Sequence, residues 1–230
     1  MPTPIDTTNN KSYAAESIVH FNFGVIATAV VDAFIKAATS TELPDTDTIT
    51  YTFPGSEGPQ DGDLATGVIS TARNISVNVT HSSSIVAVDV LVTGTDVYGS
   101  VLSELISVTA TGTDKTVAGK KAFKTVTSID ITSDSDSTSN TVNVGTGTVI
   151  GFPVATREVN DVLVLADGAI DSSATVALAD SDTATATTGD VRGTFDPASA
   201  PDDSINYSIW HTYKYSHSDL QTLLHGVDQA

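Results

Sequence analysis

Apolar and polar residues alternate along much of this chain, and a period of two is typical of half-buried β-strands. In the segment SIVHFNF, residues 17–23, Val19, Phe21 and Phe23 fall on one face and His20 falls on the other. The same alternation, or a short apolar run between turn residues, predicts further strands over residues 48–53, 73–80, 85–92, 101–111, 120–132, 139–144, 159–165, 174–178 and 204–215.

Residues 25–38, VIATAVVDAFIKAA, fit both a helix and a long strand. Helical spacing places five apolar side chains on one stripe, namely Val30, Val31, Phe34, Ile35 and Ala38. A stripe of this kind is what a helix buries against a core, so we expect a short helix here.

The predicted strands recur every eight to twelve residues or so, with turn residues between them, and no strand–helix alternation indicates a parallel sheet. Such spacing indicates a sandwich or a barrel. We predict an all-β fold: an antiparallel β-sandwich, jelly-roll-like or immunoglobulin-like. It occupies residues 17–215, after an extended N-terminal arm (1–16) and before a short C-terminal helical tail (216–230). Gly and Pro cluster at residues 148–154 and mark an alternative boundary inside the domain.

The net charge of the chain indicates which classes of binding partner to expect. The 230 residues carry 28 acidic and 10 basic side chains, a formal net charge of -18. Nucleic-acid binding depends on Lys and Arg that neutralise phosphates, so we expect no nucleic-acid partner. Anionic membranes are disfavoured for the same reason, and the most apolar window, residues 23–38, is interrupted by Asp32 and Lys36. The polar N-terminus lacks the pattern of a signal peptide.

No set of residues predicts catalysis or a cofactor. The glycine-rich GTGTVIGFP, residues 145–153, has the wrong spacing for a nucleotide-binding loop, and Pro153 would block the helix that holds the phosphate. A turn or bulge between two strands is the better interpretation. The five histidines are far apart in sequence, no G-x-S-x-G is present, and the aspartate pairs lack the pattern of a calcium loop. We therefore expect no enzyme activity, no metal and no cofactor.

Four of the ten basic residues fall close together in one predicted hairpin, at Lys115, Lys120, Lys121 and Lys124. Lysines on an edge strand discourage edge-to-edge aggregation. In a strongly acidic protein, the same residues are also a candidate docking patch for the acidic surface of a neighbouring subunit. The sequence does not separate the two interpretations.

The final predicted strand is the most aromatic. Alternation places Tyr207, Tyr213 and Tyr215 on one face and Trp210 on the other. Core packing is the first interpretation of these residues and a protein interface is the second, because Tyr and Trp are enriched at interface hot spots. A platform that stacks on sugar rings is the third.

Residues 88–131 read as short strands joined by turns. In the turn TGTDVYG, Asp96 is placed to cap the turn and Gly99 tolerates a positive φ. This turn, its flanking strands and the segment AGKKAFKTVTSI resemble a theme in virion proteins of tailed bacteriophages, the capsid-decoration or cement proteins and related head components. The resemblance covers about residues 74–154, with an echo in GDVRGTFDPASAPDDSINYSIWHTY.

The resemblance implies a non-enzymatic virion protein on the outer surface of the capsid, made in the host cytoplasm. Such a protein bridges neighbouring subunits of the major capsid protein and stabilises the head, usually as a homo-oligomer, here a dimer or a trimer. Two other functions remain open: a fibre- or head-associated adhesin that binds host glycans, and a secreted carbohydrate-binding β-protein.

Overall fold

The computed structural model describes residues 15–39, 48–54, 64–81, 87–109, 112–133, 140–180 and 189–215. Within these ranges the chain is built from antiparallel strands, as the alternation predicts, and one 3₁₀ turn at Val159–Asp161. The strands are β1 Ala15–Val25, β2 Ile35–Thr39, β3 Thr48–Thr52, β4 Val68–His81, β5 Val88–Thr95, β6 Val101–Val108, β7 Lys115–Ala118, β8 Phe123–Ser133, β9 Asn140–Gly151, β10 Val162–Ala166, β11 Ala169–Ile170, β12 Thr175–Ala177, β13 Thr194–Asp196 and β14 Asn206–Tyr215.

The larger sheet folds over itself. Its main path is β12-β13-β9-β4-β8-β5-β6, while β2, β3 and β7 pair with β9, β8 and β4. The start of β4 pairs with β8, whereas its later part pairs with β7, so the sheet turns a corner along β4. The two resulting layers bury one largely aliphatic core between them, to which Val77, Val90 and Ile129 belong. This arrangement confirms the predicted all-β sandwich.

A smaller sheet, β1-β14-β10-β11, covers a second core. Tyr207 and Ile209 of β14 pack there against Phe195, whose ring stacks on that of Phe152 with centroids 5.4 Å apart. Strand β9 serves both cores, because Val144 lies in the first and Ile150 lies in the second. The Gly and Pro cluster at residues 148–154 thus lies where the chain passes from one core to the other.

Residues 25–38 do not form the predicted helix. Strand β1 ends at Val25, a turn follows at residues 31–34, and β2 begins at Ile35. The apolar residues of this segment serve two cores, since Ile26 packs in the second and Phe34 in the first. Its backbone bonds to β9 rather than to itself, with Phe34 N donating to Val144 O at 2.9 Å. The spacing of apolar residues is the same whether they form one helical stripe or enter two different cores, so the sequence pattern alone could not show which occurs.

The boundary of the predicted N-terminal arm needs correction, whereas the predicted C-terminal tail lies outside the described residues. Strand β1 begins at Ala15, so it includes the last two residues of the predicted arm, 1–16. Residues 1–14, which make up the rest of that arm, and the predicted helical tail at 216–230 lie outside the described residues.

The glycine-rich segment is not a turn between strands. Gly145, Gly147 and Gly151 lie within β9, and the pairing of β4 with β9 shifts register between Arg73 and Ile75. Of the two structures that the sequence predicted here, the bulge is therefore present and the turn is not. The glycines allow close approach, because a Cβ at Gly145 would overlap the carbonyl oxygen of Val30.

Replacing Gly145 with alanine is expected to lower the free energy of unfolding by about 1–3 kcal/mol, the usual cost of overpacking. The added methyl must displace the backbone of Val30, whose carbonyl accepts the N–H of Thr146 at 2.9 Å. Urea unfolding measures the change. Gly112→Ala is the control, because nothing lies within 4 Å of a Cβ there. Equal stability of the two variants would contradict the prediction.

Candidate binding face

The outer face of the smaller sheet is apolar and exposed. The strand register places His20 of β1 and Leu163 of β10 on either side of Trp210, and Ile18 opposite Thr212. Ile18 is 65% exposed, Trp210 44% and Leu163 40%, whereas the alternate residues of these strands face the second core. Alternation thus gives this sheet one buried face and one open apolar face.

A groove of about 760 Å³ runs along this face, with the 3₁₀ turn Val159–Asp161 as one wall. The indole of Trp210 stacks against the imidazole of His20, with ring centroids 4.6 Å apart. That contact covers part of the indole and leaves the remainder exposed. We call this surface the Trp210 face; its members are Ile18, His20, Val159, Leu163, Trp210 and Thr212.

Of the other aromatic candidates, Tyr207 is the one whose side chain the structure describes, and it lies apart from Trp210. Tyr207 is fully buried and its hydroxyl donates to Ser199 O at 2.6 Å, so it belongs to the core. Burial also raises the pKa of Tyr207. Tyr213 and Tyr215 lie on β14, where the backbone pairs with β1, but their side chains are outside the described part of the structure.

The four lysines do not form one patch. Lys121 is fully buried and its Nζ donates to Ser103 O at 2.9 Å, which corrects its assignment to a docking surface. Lys115 lies on β7 and bonds to Thr109, Lys120 is exposed after β7, and Lys124 on β8 donates to the backbone of β4. Strands β7 and β8 pair with different parts of β4, so the predicted hairpin is wrong.

A buried ion pair joins two segments far apart in sequence, TGTDVYG and GDVRG. Asp96 caps its turn as predicted, since Oδ1 accepts the backbone N–H groups of Tyr98 at 2.8 Å and Ser100 at 3.0 Å. Its Oδ2 accepts Nη1 of Arg192, in the segment GDVRG, at 2.9 Å. The guanidinium of Arg192 also lies over the ring of Tyr98, 5.4 Å from the centroid. The tyrosine hydroxyl donates to the carbonyl of Pro153.

Further charges continue this network inwards. Asp190 accepts the backbone N–H of Ala122 at 3.0 Å and that of Arg192 at 2.8 Å. Glu104 accepts the backbone N–H groups of Lys120 at 2.5 Å and Lys121 at 3.1 Å. We call Asp96, Glu104, Lys121, Asp190 and Arg192 the buried charge cluster, since all five are at most 3% exposed.

Burial is the largest cause of the pKa shifts of Glu104 and Lys121. It raises the pKa of Glu104 to about 7, against the two backbone hydrogen bonds and the charge of Lys121, which lower it. It lowers the pKa of Lys121, while the carboxylates of Glu104, Asp190 and Asp180 raise it. Shifted pKa values occur in active sites and in structural ion networks alike. The carboxylates of Asp96, Glu104 and Asp190 each bind backbone N–H groups, so this cluster fixes loops.

Alternation correctly separated Trp210 from the buried Tyr207 and turn chemistry predicted the Asp96 cap, but the buried charge cluster was not predicted. The sequence contains Asp96 in TGTDVYG and Arg192 in GDVRG, but no local pattern indicates that these residues, 96 positions apart, are in contact. Among the described residues, no group of three or more His, Asp or Glu side chains is placed to hold a metal ion. Nor does any helix there have the length and apolar character needed to cross a membrane.

No known protein family, curated protein or solved structure matches this chain.

Proposed function

We propose that this chain is a non-enzymatic structural protein of a tailed-bacteriophage particle that binds the outer capsid surface and bridges major capsid subunits through the Trp210 face. The exposed apolar surface around Trp210 carries the proposal. Large exposed apolar patches with polar rims mark interaction sites, and Trp is enriched among the residues that dominate binding energy. The phage context rests on the resemblance of residues 74–154 and on its echo.

The arrangement of charge supports a structural role. The two resembling segments are tied together by the buried charge cluster, through the bond of Arg192 to Asp96. The net charge of -18 favours a partner surface of opposite sign, because complementary charge speeds association and excludes wrong partners. On a symmetric shell, several copies of a modest contact bind tightly when the copies are linked, as in a dimer or trimer.

Replacing Trp210 with alanine is expected to weaken capsid binding by about thirtyfold or more, equivalent to the roughly 2 kcal/mol of an interface hot spot. The measurement is co-sedimentation of the purified protein with capsids assembled from the major capsid protein encoded in the same genome. Val101→Ala is the matched control, since Val101 is 61% exposed and lies on β6, in the other sheet.

The copy number is an independent check on the capsid proposal. Quantitative mass spectrometry of purified particles is expected to give a ratio to the major capsid protein that is fixed by the lattice. A copy number far below that of the shell protein contradicts a role in bridging shell subunits. Binding that is unchanged by Trp210→Ala contradicts the role of the Trp210 face while leaving the capsid assignment intact.

A second function is favoured by the polar groups beside Trp210. Asn160 and Asp161 line the same groove, and an aromatic ring next to an amide and a carboxylate suits a sugar ring with its hydroxyls. This alternative is an adhesin that binds host glycans. It predicts binding on a glycan array that Trp210→Ala abolishes, with few copies per particle and no binding to empty capsids.

A further inference from the structure

A second cavity, of about 490 Å³, lies beside the corner of the larger sheet. Pairing along β4 is irregular on both sides of Arg73, since the register with β8 shifts before it and the register with β9 shifts after it. These bulges leave space between β4 and the loop that joins β1 to β2. The cavity is lined by Ala27, Thr28, Val30, Ala33, Leu64, Thr66, Val68, Ile69, Ser70, Arg73 and Thr146.

Arg73 is the charged group of this cavity and is only 2% exposed. Its Nη2 donates to the carbonyl of Ala27 at 2.7 Å, while its Nε has no hydrogen-bond partner within the described ranges. A guanidinium has five N–H donors, and the Nε–H is a buried donor that these residues leave unused. Buried donors that stay unpaired are costly, and buried charges are normally paired.

Asp203 is the acidic residue that acts on Arg73 within the described ranges, but no hydrogen bond joins the two side chains there. Asp203 acts electrostatically on Arg73, but its Oδ2 accepts both the backbone N–H and the hydroxyl of Thr28, at 3.2 and 2.7 Å. Burial lowers the pKa of Arg73 and the charge of Asp203 opposes that shift. The cavity walls described above include no acidic residue. An anion inside the cavity would thus meet the buried cation of Arg73, and among the described residues the carboxylate of Asp203, bound to Thr28, is the acidic group that acts on that cation.

The remaining walls indicate which anion fits. Thr66 and Ser70 are the hydroxyl-bearing residues of the wall beside Thr28 and Thr146, whereas Val30, Leu64 and Ile69 are aliphatic. The planar fork of a guanidinium matches a carboxylate in geometry, and charge-assisted bonds of this kind are about twice as strong as neutral ones. Aliphatic walls favour a carboxylate that carries a short alkyl chain.

We propose that the Arg73 cavity is a binding site for a small aliphatic carboxylate, held by the guanidinium of Arg73 with its alkyl part against Val30, Leu64 and Ile69. This site is independent of the capsid proposal, because the cavity and the Trp210 face share no residue.

The test uses the full chain with sodium butyrate as probe and the uncharged isostere butyramide as its control, at constant ionic strength. The sequence has three arginines, Arg73, Arg157 and Arg192, so their Nε–H signals can be assigned by substitution in ¹⁵N NMR spectra. Butyrate is expected to shift the Arg73 signal and to raise the melting temperature, both in a saturable way. Butyramide is expected to do neither.

Two variants and a control locate the site. Arg73→Gln is expected to abolish the response to butyrate, and Ser70→Phe, which adds bulk to the cavity wall, is expected to weaken it at least tenfold while Arg73 remains. Should Arg73→Gln fail to fold, Ser70→Phe provides the same test. Arg157→Gln removes an equal charge from an exposed position and is expected to bind butyrate as the parent does.

Three outcomes overturn the proposal. One is no response to butyrate up to roughly 100 mM, well above the millimolar range of weak sites. Another is a response that both Arg73→Gln and Ser70→Phe retain. The third is stronger binding of inorganic phosphate than of butyrate at the same site, which would identify a general anion site in place of a carboxylate site.

Discussion

Replacing Asp96 with alanine is expected to lower the free energy of unfolding by about 3–5 kcal/mol, the usual cost of removing one partner of a buried ion pair. The loss has two sources. The guanidinium of Arg192 stays buried after its carboxylate partner is removed, and the backbone N–H groups of Tyr98 and Ser100 lose their acceptor. Asp96 and Arg192 are each 2% exposed, so water does not readily replace these bonds in the folded state.

The measurement is urea unfolding followed by circular dichroism. Asp89→Ala is the matched control, because Asp89 is exposed on β5, the strand that leads into the Asp96 turn, and its removal changes the net charge equally. Arg192→Met and the double variant complete a thermodynamic cycle that isolates the pair. A loss for Asp96→Ala no larger than that of the control would contradict the structural role of the pair.

The elements that local alternation predicts are those whose two faces have different surroundings. Strands β1, β3 and β14 were predicted in this way, because each has a core face and an exposed face. The turn after β5 was predicted from Asp96 and Gly99, whose φ is +84°. These features depend only on neighbouring residues, and the sequence contains all the information they need.

Features that join distant segments could not be predicted. Residues 25–38 look like one amphipathic helix because nothing local reveals that Ile26 and Phe34 enter different cores. The glycines of β9 look like a turn because the close approach of Val30 is a tertiary contact. Trp210 was identified because alternation separates it from Tyr207. The Arg73 cavity depends on irregular pairing at the corner of the sheet, and no residue pattern signals that irregularity.

Glu104 is expected to make the protein less stable as the pH rises from about 4.5 to about 7. Its pKa is raised from the ordinary 4.5 to about 7 by burial, so the folded protein holds the proton over a range in which the unfolded chain has released it. The free energy of unfolding therefore falls through this window and changes no further above it. At about 1.4 kcal/mol per pKa unit, the total contribution is about 3 kcal/mol.

Glu104→Gln tests this contribution, because the amide stays neutral at every pH while keeping the size of the side chain. Relative to the parent, the free energy of unfolding of the variant is expected to rise by about 3 kcal/mol between pH 4.5 and pH 8. The variant also loses one acceptor of the Lys120 and Lys121 N–H groups, but this loss is the same at every pH and does not alter the expected rise. Asp89→Asn, at an exposed position on β5, reports the effect of removing one negative charge. Burial lowers the pKa of the nearby Lys121, so the comparison ends at pH 8 to limit the contribution of that residue. Parallel stability curves for Glu104→Gln and the parent would mean that the buried carboxylate ionises as readily in the folded protein as in the unfolded chain, and the backbone N–H groups would then offset its burial in full.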